Sequence, residues 1–227
     1  MASQAERSSA MDLVSWLKNY IGGQKRAVGG QKNYIGVVHR LDKPVGGVMV
    51  YAKTPKAASE LSRQFSAHDT EKTYLAVLTG RLPETSGVLE NRLERDGRTN
   101  TSSVVDTGGK QARLEYRVLA ERDGRSLVEV RLYTGRHHQI RVQMAHAGAG
   151  IYGDMKYNRE ATEKWNRERE TPTGSKGLGL FSCGLIFSHP ATGKRMKFKV
   201  LPGKGPAAID EWPGLSYYMN DENEPGR

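Results

Sequence analysis

The feature that most constrains the fold is a pair of apolar runs on either side of Asp123-Gly124. Residues 113–120 (RLEYRVLA) and 126–133 (SLVEVRLY) contain the β-branched, aromatic and aliphatic residues typical of strands. Asp-Gly is a preferred pair for a two-residue turn, because both turn positions need positive φ. We therefore expect a β-hairpin, and alternate residues of its second arm share one face: Val128, Val130 and Leu132.

Four more apolar runs predict further strands. The runs 48–53 (VMVYAK) and 73–80 (TYLAVLTG) are short and bounded by turn-forming or capping residues. The runs 178–190 and 194–202 lie on either side of a turn near Thr192-Gly193. The 26 glycines of the chain also favour a sheet-rich protein with many tight turns.

Three segments have helical features. Apolar residues recur at helical spacing from Leu13 to Tyr20. Thr54 can cap a second helix that starts at Pro55, and a third helix, near 137–147, is expected to end at Gly148. Many strands with a few helices predict an α+β fold, with a mixed, mostly antiparallel central sheet and flanking helices.

The chain of 227 residues has the length of one domain with short tails. We expect a flexible tail at 1–10, a single catalytic domain at 11–213 and a second flexible tail at 214–227. Within the domain, positive and negative charges balance across 158–170, so residues 158–176 are interpreted as an exposed helical or mobile insertion.

The charge balance indicates a polyanionic partner. Lys and Arg number 35 against 25 Asp and Glu, and the isoelectric point is about 9.7. Such a surface attracts nucleic acid first and an anionic membrane second, although it is also compatible with a role in solubility alone. Cys183 is the single cysteine, which excludes an internal disulfide and fits a reducing cytoplasm. The first twenty residues contain no long apolar stretch, so neither a signal peptide nor a membrane span is expected.

Asp42 is the first candidate for a reacting group. It lies in HRLDKPVGG, where a strand leads into a turn, between the cationic side chains of Arg40 and Lys43 and close to His39. Neighbouring cations favour an ionised carboxylate, which can act as a nucleophile or a base. The alternative is structural, because Asp is a common turn residue.

Arg141 is the second candidate, in the segment 135–157. If residues 137–147 form one helix, Arg141 shares a face with His137 and His138. The alternative is an exposed phosphate contact or a surface salt bridge. The three histidines of this segment fit no standard zinc pattern, and the glycine-rich stretches lack a nucleotide-binding frame. No metal and no cofactor are therefore expected.

The two segments together resemble the RluA-type pseudouridine synthases. The catalytic motif of that family is similar to HRLDKPVGGVMVYAKT at 39–54, and its later motif is similar to GRHHQIRVQMAHAGAGIYGDMKY at 135–157. The resemblance extends over about 37–201 and includes Lys72-Thr73-Tyr74 between the motifs. The Thr-Ser-Gly turn of many members is Val45-Gly46-Gly47 here. The family's usual opening segment and its amino-terminal S4 domain have no recognisable counterpart before the first motif.

The resemblance implies that the chain isomerises a uridine in RNA without a cofactor. Asp42 then matches the catalytic aspartate, Tyr74 a tyrosine that stacks on the base and is a candidate for proton removal, and Arg141 the basic partner of the aspartate. Arg40 matches an arginine that fills the gap left by a flipped base, and Leu201 an apolar residue near the base, although ordinary core is the stronger interpretation of Leu201. The substrate-binding set expected on this basis is His39, Arg40, Arg136, Gln139 and Leu201.

Two other functions remain open from the sequence. One is an inactive RNA-binding protein of the same fold. The other is a hydrolase in which Asp42 attacks a glycosidic bond, which requires a second carboxylate such as Asp154 or Asp69. For the main hypothesis, ribosomal RNA is favoured over transfer RNA, and the protein is expected to act as a monomer without an obligate protein partner or membrane.

Overall fold

The computed structural model describes residues 12–24, 34–43, 45–168 and 177–203, together with Ile209, Trp212 and Leu215. The tails expected at 1–10 and 214–227 lie outside these residues, apart from Leu215. The helices are α1 Leu13–Gln24, α2 Pro55–Ser66, α3 Gln139–His146 and α4 Arg159–Glu168. The strands are β1 Gly36–Val37, β2 Gly46–Gly47, β3 Tyr51–Ala52, β4 Glu71–Thr79, β5 Ser86–Asp96, β6 Thr101–Val105, β7 Lys110–Arg122, β8 Arg125–Leu132, β9 Leu180–Ser188 and β10 Arg195–Lys199.

One sheet of eight strands dominates the described part of the chain. Its order is β10-β9-β4-β8-β7-β5-β6, and β2 adds to β9 as a parallel strand. The other pairings of this sheet are antiparallel, and a separate antiparallel pair joins β1 to β3. The prediction of an α+β fold with a mixed, mostly antiparallel sheet is confirmed.

The predicted hairpin forms the centre of this sheet. Strands β7 and β8 pair antiparallel, and Asp123 and Gly124 have φ values of 52° and 72° at their junction. Both turn residues therefore adopt the left-handed conformation that a two-residue turn of this kind requires. Val128 and Val130 are fully buried, as their alternation predicts.

The neighbouring strand β4 separates two cores. Tyr74, Ala76 and Leu78 pack with the apolar face of α3 on one side of the sheet. Leu75 and Val77 pack on the other side, against residues that include Tyr152 and Trp165. Because side chains alternate along a strand, Lys72 lies on the same face as Tyr74. This face of β4 forms a wall of the candidate site.

The helix predicted after Thr54 is confirmed. The Thr54 hydroxyl accepts a hydrogen bond from the Ala57 amide at 3.1 Å, and Pro55 occupies the first position. The strand predicted at 48–53 is largely wrong, because only Tyr51 and Ala52 pair as a strand. The Val50 amide donates instead to the His39 ring at 3.0 Å, so a side chain replaces the strand partner that the apolar pattern suggested.

The charged segment expected to be exposed or mobile contains α4. Its helical character is confirmed over 159–168, and residues 169–176 lie outside the described residues. Full exposure was wrong, because Thr162 and Asn166 are buried and Trp165 packs edge-to-face on Tyr152. The alternating charged side chains occupy the outer face of the helix. Because they dominate the composition of this segment, the buried inner face was not predicted from the sequence.

Candidate active site

A cavity of about 710 Å³ lies beside the face of β4 described above. The loop after β1, the start of β4 and the first turn of α3 meet around it. All but one of the residues predicted for the site line it: His39, Arg40, Asp42, Tyr74, Arg136, Gln139 and Arg141. The exception is Leu201, which is 45% exposed and does not line this cavity. The interpretation of Leu201 as a core residue is therefore also wrong, because Leu201 lies beyond the end of β10 and is exposed.

Asp42 lies in a turn, and contacts of the residues before and after it hold this turn in place. Leu41 is buried in the core beside it, and the Val45 amide donates to the Asp42 carbonyl oxygen at 2.8 Å. His39 stacks on Phe65 of α2, with ring centroids 4.5 Å apart. The Asp42 side chain is 26% exposed, so its carboxylate is available to a ligand in the cavity.

Arg141 joins Asp42 to a second carboxylate. Its Nη1 donates to Asp42 Oδ2 at 3.4 Å, while Nε and Nη2 donate to Asp154 Oδ2 and Oδ1 at 2.7 and 2.8 Å. Burial acts to lower the pKa of Arg141, but its bonds to Asp154 and Asp42 raise the pKa above its ordinary value. The guanidinium is therefore a fixed cation, and its position is set by Asp154. The alternative of an exposed Arg141 is wrong, because the residue is only 6% exposed.

Asp154 is the functional residue that the sequence reasoning undervalued. It is 1% exposed, and its Oδ1 also accepts hydrogen bonds from the amides of Lys156 and Tyr157 at 3.0 and 3.2 Å. The sequence offered only a partial signal, since Asp154 lies in the second motif, after Gly153, whereas the burial of Arg141 that makes an acidic partner necessary is seen only in the structure.

A histidine pair lies on the other side of Asp42. His138 Nε2 is 3.7 Å from Asp42 Oδ2, and its Nδ1 is hydrogen-bonded to the Tyr157 hydroxyl at 2.8 Å. Burial lowers the pKa of His138 to about 4, so the ring is neutral near pH 7. The expected helical spacing of His137 and Arg141 is wrong, because α3 starts at Gln139 and His138 caps it with a φ of 53°. His137 instead stacks on His138 at 3.7 Å.

Tyr74 lies beside an irregularity in the sheet. The register of β4 against β9 shifts between Thr73 and Tyr74, so that Cys183 has no opposite residue. Such a bulge bends the strand that contains the extra residue, which is β9 at this point. Burial raises the pKa of Tyr74 to about 12, which leaves a neutral phenol with a flat face in the cavity.

Gln139 and Arg136 make hydrogen bonds within the protein that were not expected for side chains predicted to contact the substrate. Gln139 Oε1 accepts from the Thr134 hydroxyl and the Arg136 amide, and its Nε2 donates to Arg113 and Gln143. The Arg136 Nε donates to the Gln111 carbonyl at 2.8 Å. Gln139 thus fixes the loop that presents Arg136 to the cavity, and Arg40 is exposed at the cavity wall.

No group of three potential ligands among His, Cys, Asp and Glu is arranged to hold a metal ion in the described part of the chain. None of the described helices is long and apolar enough to cross a membrane.

The sequence of this chain also matches a known family. Residues 12–146 match the family model described as RNA pseudouridylate synthase. This match includes the first motif and all of α3, and it covers more than half of the chain, so the chain belongs to this family. The resemblance inferred from the sequence motifs is confirmed.

Individual relatives give the same classification. The chain is 34% identical over 188 residues to ribosomal large subunit pseudouridine synthase D of Zymomonas mobilis, covering 82% of this chain and 58% of the relative. It is 41% identical over 172 residues to an uncharacterized RNA pseudouridine synthase of Chloroflexus aurantiacus, covering 76% and 51%. The chain thus spans about half the length of the curated relatives it matches.

A solved structure confirms the fold. Human RNA pseudouridylate synthase domain containing 4 has a TM-score of 0.64 and 23% identity to this chain. The alignment covers 85% of this chain and 78% of the human protein.

Proposed function

We propose that the chain isomerises a uridine in RNA to pseudouridine, with Asp42 as the reacting carboxylate. The observation that supports this most directly is the chain of contacts from Asp42 through Arg141 to buried Asp154, at the wall of a cavity that also contains Tyr74. A carboxylate fixed in this way can act repeatedly at one position without rearrangement.

The reaction conserves the molecular formula of the uridine. The bond from N1 of uracil to C1′ of ribose breaks, the ring turns, and C5 bonds to C1′. The proton on C5 is lost and N1 gains one, so no electrons are exchanged with a cofactor. Asp42 either attacks C1′ or removes a sugar proton to form a glycal, and both routes need the ionised carboxylate.

Arg141 and Tyr74 have separate roles in this proposal. The Arg141 guanidinium stabilises the charge of Asp42 and holds its orientation. The Tyr74 ring stacks on uracil, which contributes roughly 1–3 kcal/mol in comparable single-strand sites. Because its phenol is neutral, the C5 proton is expected to leave to water or through a transient hydrogen bond rather than to a pre-formed phenolate.

The target base must leave its helix or lie in a loop to reach Asp42. Arg40 is exposed beside the cavity and fits the role of filling the vacated space. We favour ribosomal over transfer RNA because several curated relatives are named as ribosomal large subunit enzymes. A cytoplasmic monomer without an obligate protein partner remains our proposal for the working form.

The glycosidase alternative is weakened by the geometry. Asp154 does lie close to the site, but all its contacts are with Arg141 and two backbone amides. Among the described lining residues Asp42 is the one carboxylate, so a second acid for glycosidic cleavage is missing there. Asp69 pairs with Arg195 at the surface instead. The inactive-protein alternative requires a damaged site, whereas Asp42, Tyr74 and Arg141 all line the cavity.

The cellular experiment is pseudouridine mapping by carbodiimide labelling of total RNA. The map from cells with the gene is compared with that from cells lacking it, and from cells complemented with Asp42→Asn. We expect at least one uridine to lose its carbodiimide mark without the gene and to stay unmarked with the variant. An unchanged map in all three strains, with the protein expressed, would contradict the proposal.

A further inference from the structure

Lys72 is a buried cation that the proposed chemistry does not use. Its side chain belongs to β4, two residues before Tyr74, and lines the same cavity. The residue is only 8% exposed. The aliphatic part of the side chain is enclosed, and the ammonium group is open to the cavity, since Nζ is not among the fully buried nitrogens of the described residues that lack a hydrogen-bond partner. An ammonium group in such a partly enclosed position favours a nearby negative charge.

No ion-pair or hydrogen-bond partner for the Lys72 ammonium is found among the residues that the structure describes. The adjacent carboxylate, Glu71, lies on the other face of the strand and pairs with Arg131 and Arg195. Burial lowers the pKa of Lys72, which is the expected effect of a cation without a counterion.

Two more basic side chains, those of His68 and Arg136, line the same cavity as Lys72. Burial lowers the pKa of His68, and the charges of Lys72 and Arg136 lower it further. Arg136 has a fixed position because its Nε is held by the Gln111 carbonyl.

The backbone at His68 is constrained as well. Its φ is 58°, a conformation that costs a non-glycine residue energy and persists only where the surroundings enforce it. The residue follows the end of α2, and its amide bonds to the Phe65 carbonyl at 3.3 Å. His68 lines the cavity in this conformation, as Arg136 does.

We propose that Lys72, Arg136 and His68 form a phosphate-binding subsite for the RNA backbone next to the reacting uridine. This inference rests on the proposed function. Alternate residues of a strand are about 7 Å apart, so one nucleotide can stack on Tyr74 and place its phosphate against Lys72. Lysine binds phosphate as a point charge, and the phosphate supplies the counterion that Lys72 lacks.

The first test measures anion binding without RNA. Inorganic phosphate is titrated into the full chain while NMR follows the imidazole signals of His68. We expect saturable shifts that Lys72→Met weakens about tenfold and that Lys164→Met, at an exposed charge of α4, leaves unchanged. Equal phosphate affinity in wild type and Lys72→Met would overturn the subsite, whatever the outcome of an isomerisation assay.

The second test counts ionic contacts with RNA. A fluorescein-labelled oligouridine 12-mer is bound at several salt concentrations, and the slope of log affinity against log salt is compared. Loss of one phosphate contact should reduce the slope by about 0.7 for a single strand. We expect this reduction for Lys72→Met and for Arg136→Gln, but not for Lys164→Met, which removes an exposed charge from α4.

The thermal stability of Lys72→Met separates binding from folding. Replacing an unpaired, partly enclosed ammonium by an apolar side chain of similar length should keep or raise the melting temperature. If Lys72→Met does not fold, Arg136→Gln provides the same slope measurement at the other cation. A wild-type slope in a folded variant at either position contradicts the subsite.

Discussion

At the scale of single residues, the site depends on one arginine that has two acidic partners of unequal strength. The bonds from Arg141 to Asp154 are 2.7 and 2.8 Å long, whereas the contact to Asp42 is 3.4 Å. Asp154 is fully enclosed and Asp42 faces the cavity. The tighter pair therefore fixes the cation, and the looser contact leaves Asp42 able to interact with substrate.

The first residue-scale prediction concerns Asp154→Asn. An asparagine cannot balance the buried Arg141 charge, and breaking a buried pair costs about 3–5 kcal/mol. We expect a loss of that size in the free energy of unfolding, measured by urea titration, and a fall in turnover larger than the fall in RNA affinity.

Asp69→Asn is the matched control, because Asp69 is 57% exposed in its ion pair with Arg195. Surface pairs contribute roughly 0–1 kcal/mol, so this variant should resemble the wild type in stability and turnover. Equal stability of the two variants would contradict the structural role assigned to Asp154.

At the scale of elements, the sequence predicted the structure correctly where neighbouring residues determine the backbone conformation. The Asp123-Gly124 turn and the Thr54 cap are local features, and both are confirmed. The segment 48–50 was misread because a distant ring, His39, takes the place of a strand partner. A hydrogen bond of this kind between separate segments produces no periodic pattern in the sequence.

The candidate site likewise contains residues that the sequence predicted and residues that it did not. Asp42 and Arg141 were recognisable by motif, and the structure brings them to 3.4 Å although 98 residues separate them in the chain. The importance of Asp154 and His138 could not be derived from spacing, because both act through folded contacts that bridge separate elements. The left-handed His138 cap also shortened the expected helix by two residues.

The element-scale prediction concerns Gly47 in β2. Its φ is 128°, and a Cβ built there would be 2.1 Å from the Ser182 carbonyl oxygen of β9. Gly47→Ala should therefore separate β2 from β9 and displace the turn that holds Asp42. We expect a loss of several kcal/mol in unfolding free energy, of the size seen for severe backbone disruption, and a strong fall in turnover.

Gly193→Ala provides the control, since its φ of 70° is also left-handed but its Cβ would meet nothing within 4 Å. The left-handed conformation alone costs an alanine roughly 1–2 kcal/mol. Turnover by folded Gly193→Ala should match the wild type. Comparable losses of turnover in both variants would show that the clash with Ser182 is not what matters.

At the scale of the whole molecule, two adjoining grooves are lined in part by basic side chains. The net charge of +10 is the background for polyanion binding. A second groove of about 460 Å³ shares Gly135 and Arg136 with the main cavity and includes Arg95 and Lys110. An RNA strand leaving the main cavity past Arg136 therefore meets further cations.

The corresponding prediction is that Arg95→Gln combined with Lys110→Gln weakens RNA binding without changing turnover at saturating RNA. Loss of two contacts should reduce the salt slope by about 1.4 for a single strand. Lys164→Gln with Arg167→Gln removes the same charge from α4, beside the other core of the sheet, and should leave the slope unchanged. Equal slopes for the two double variants would argue against a specific second groove.

The most direct measurement of the central claim uses large-subunit ribosomal RNA transcribed with uridine tritiated at C5. Isomerisation releases this tritium to water, whereas glycosidic hydrolysis releases labelled free uracil. We predict tritium release by the wild type without free uracil, and none by Asp42→Asn at an RNA affinity within about twofold of the wild type, since Asp42 makes no favourable phosphate contact. Wild-type tritium release by Asp42→Asn, or free uracil as the product, would contradict the account.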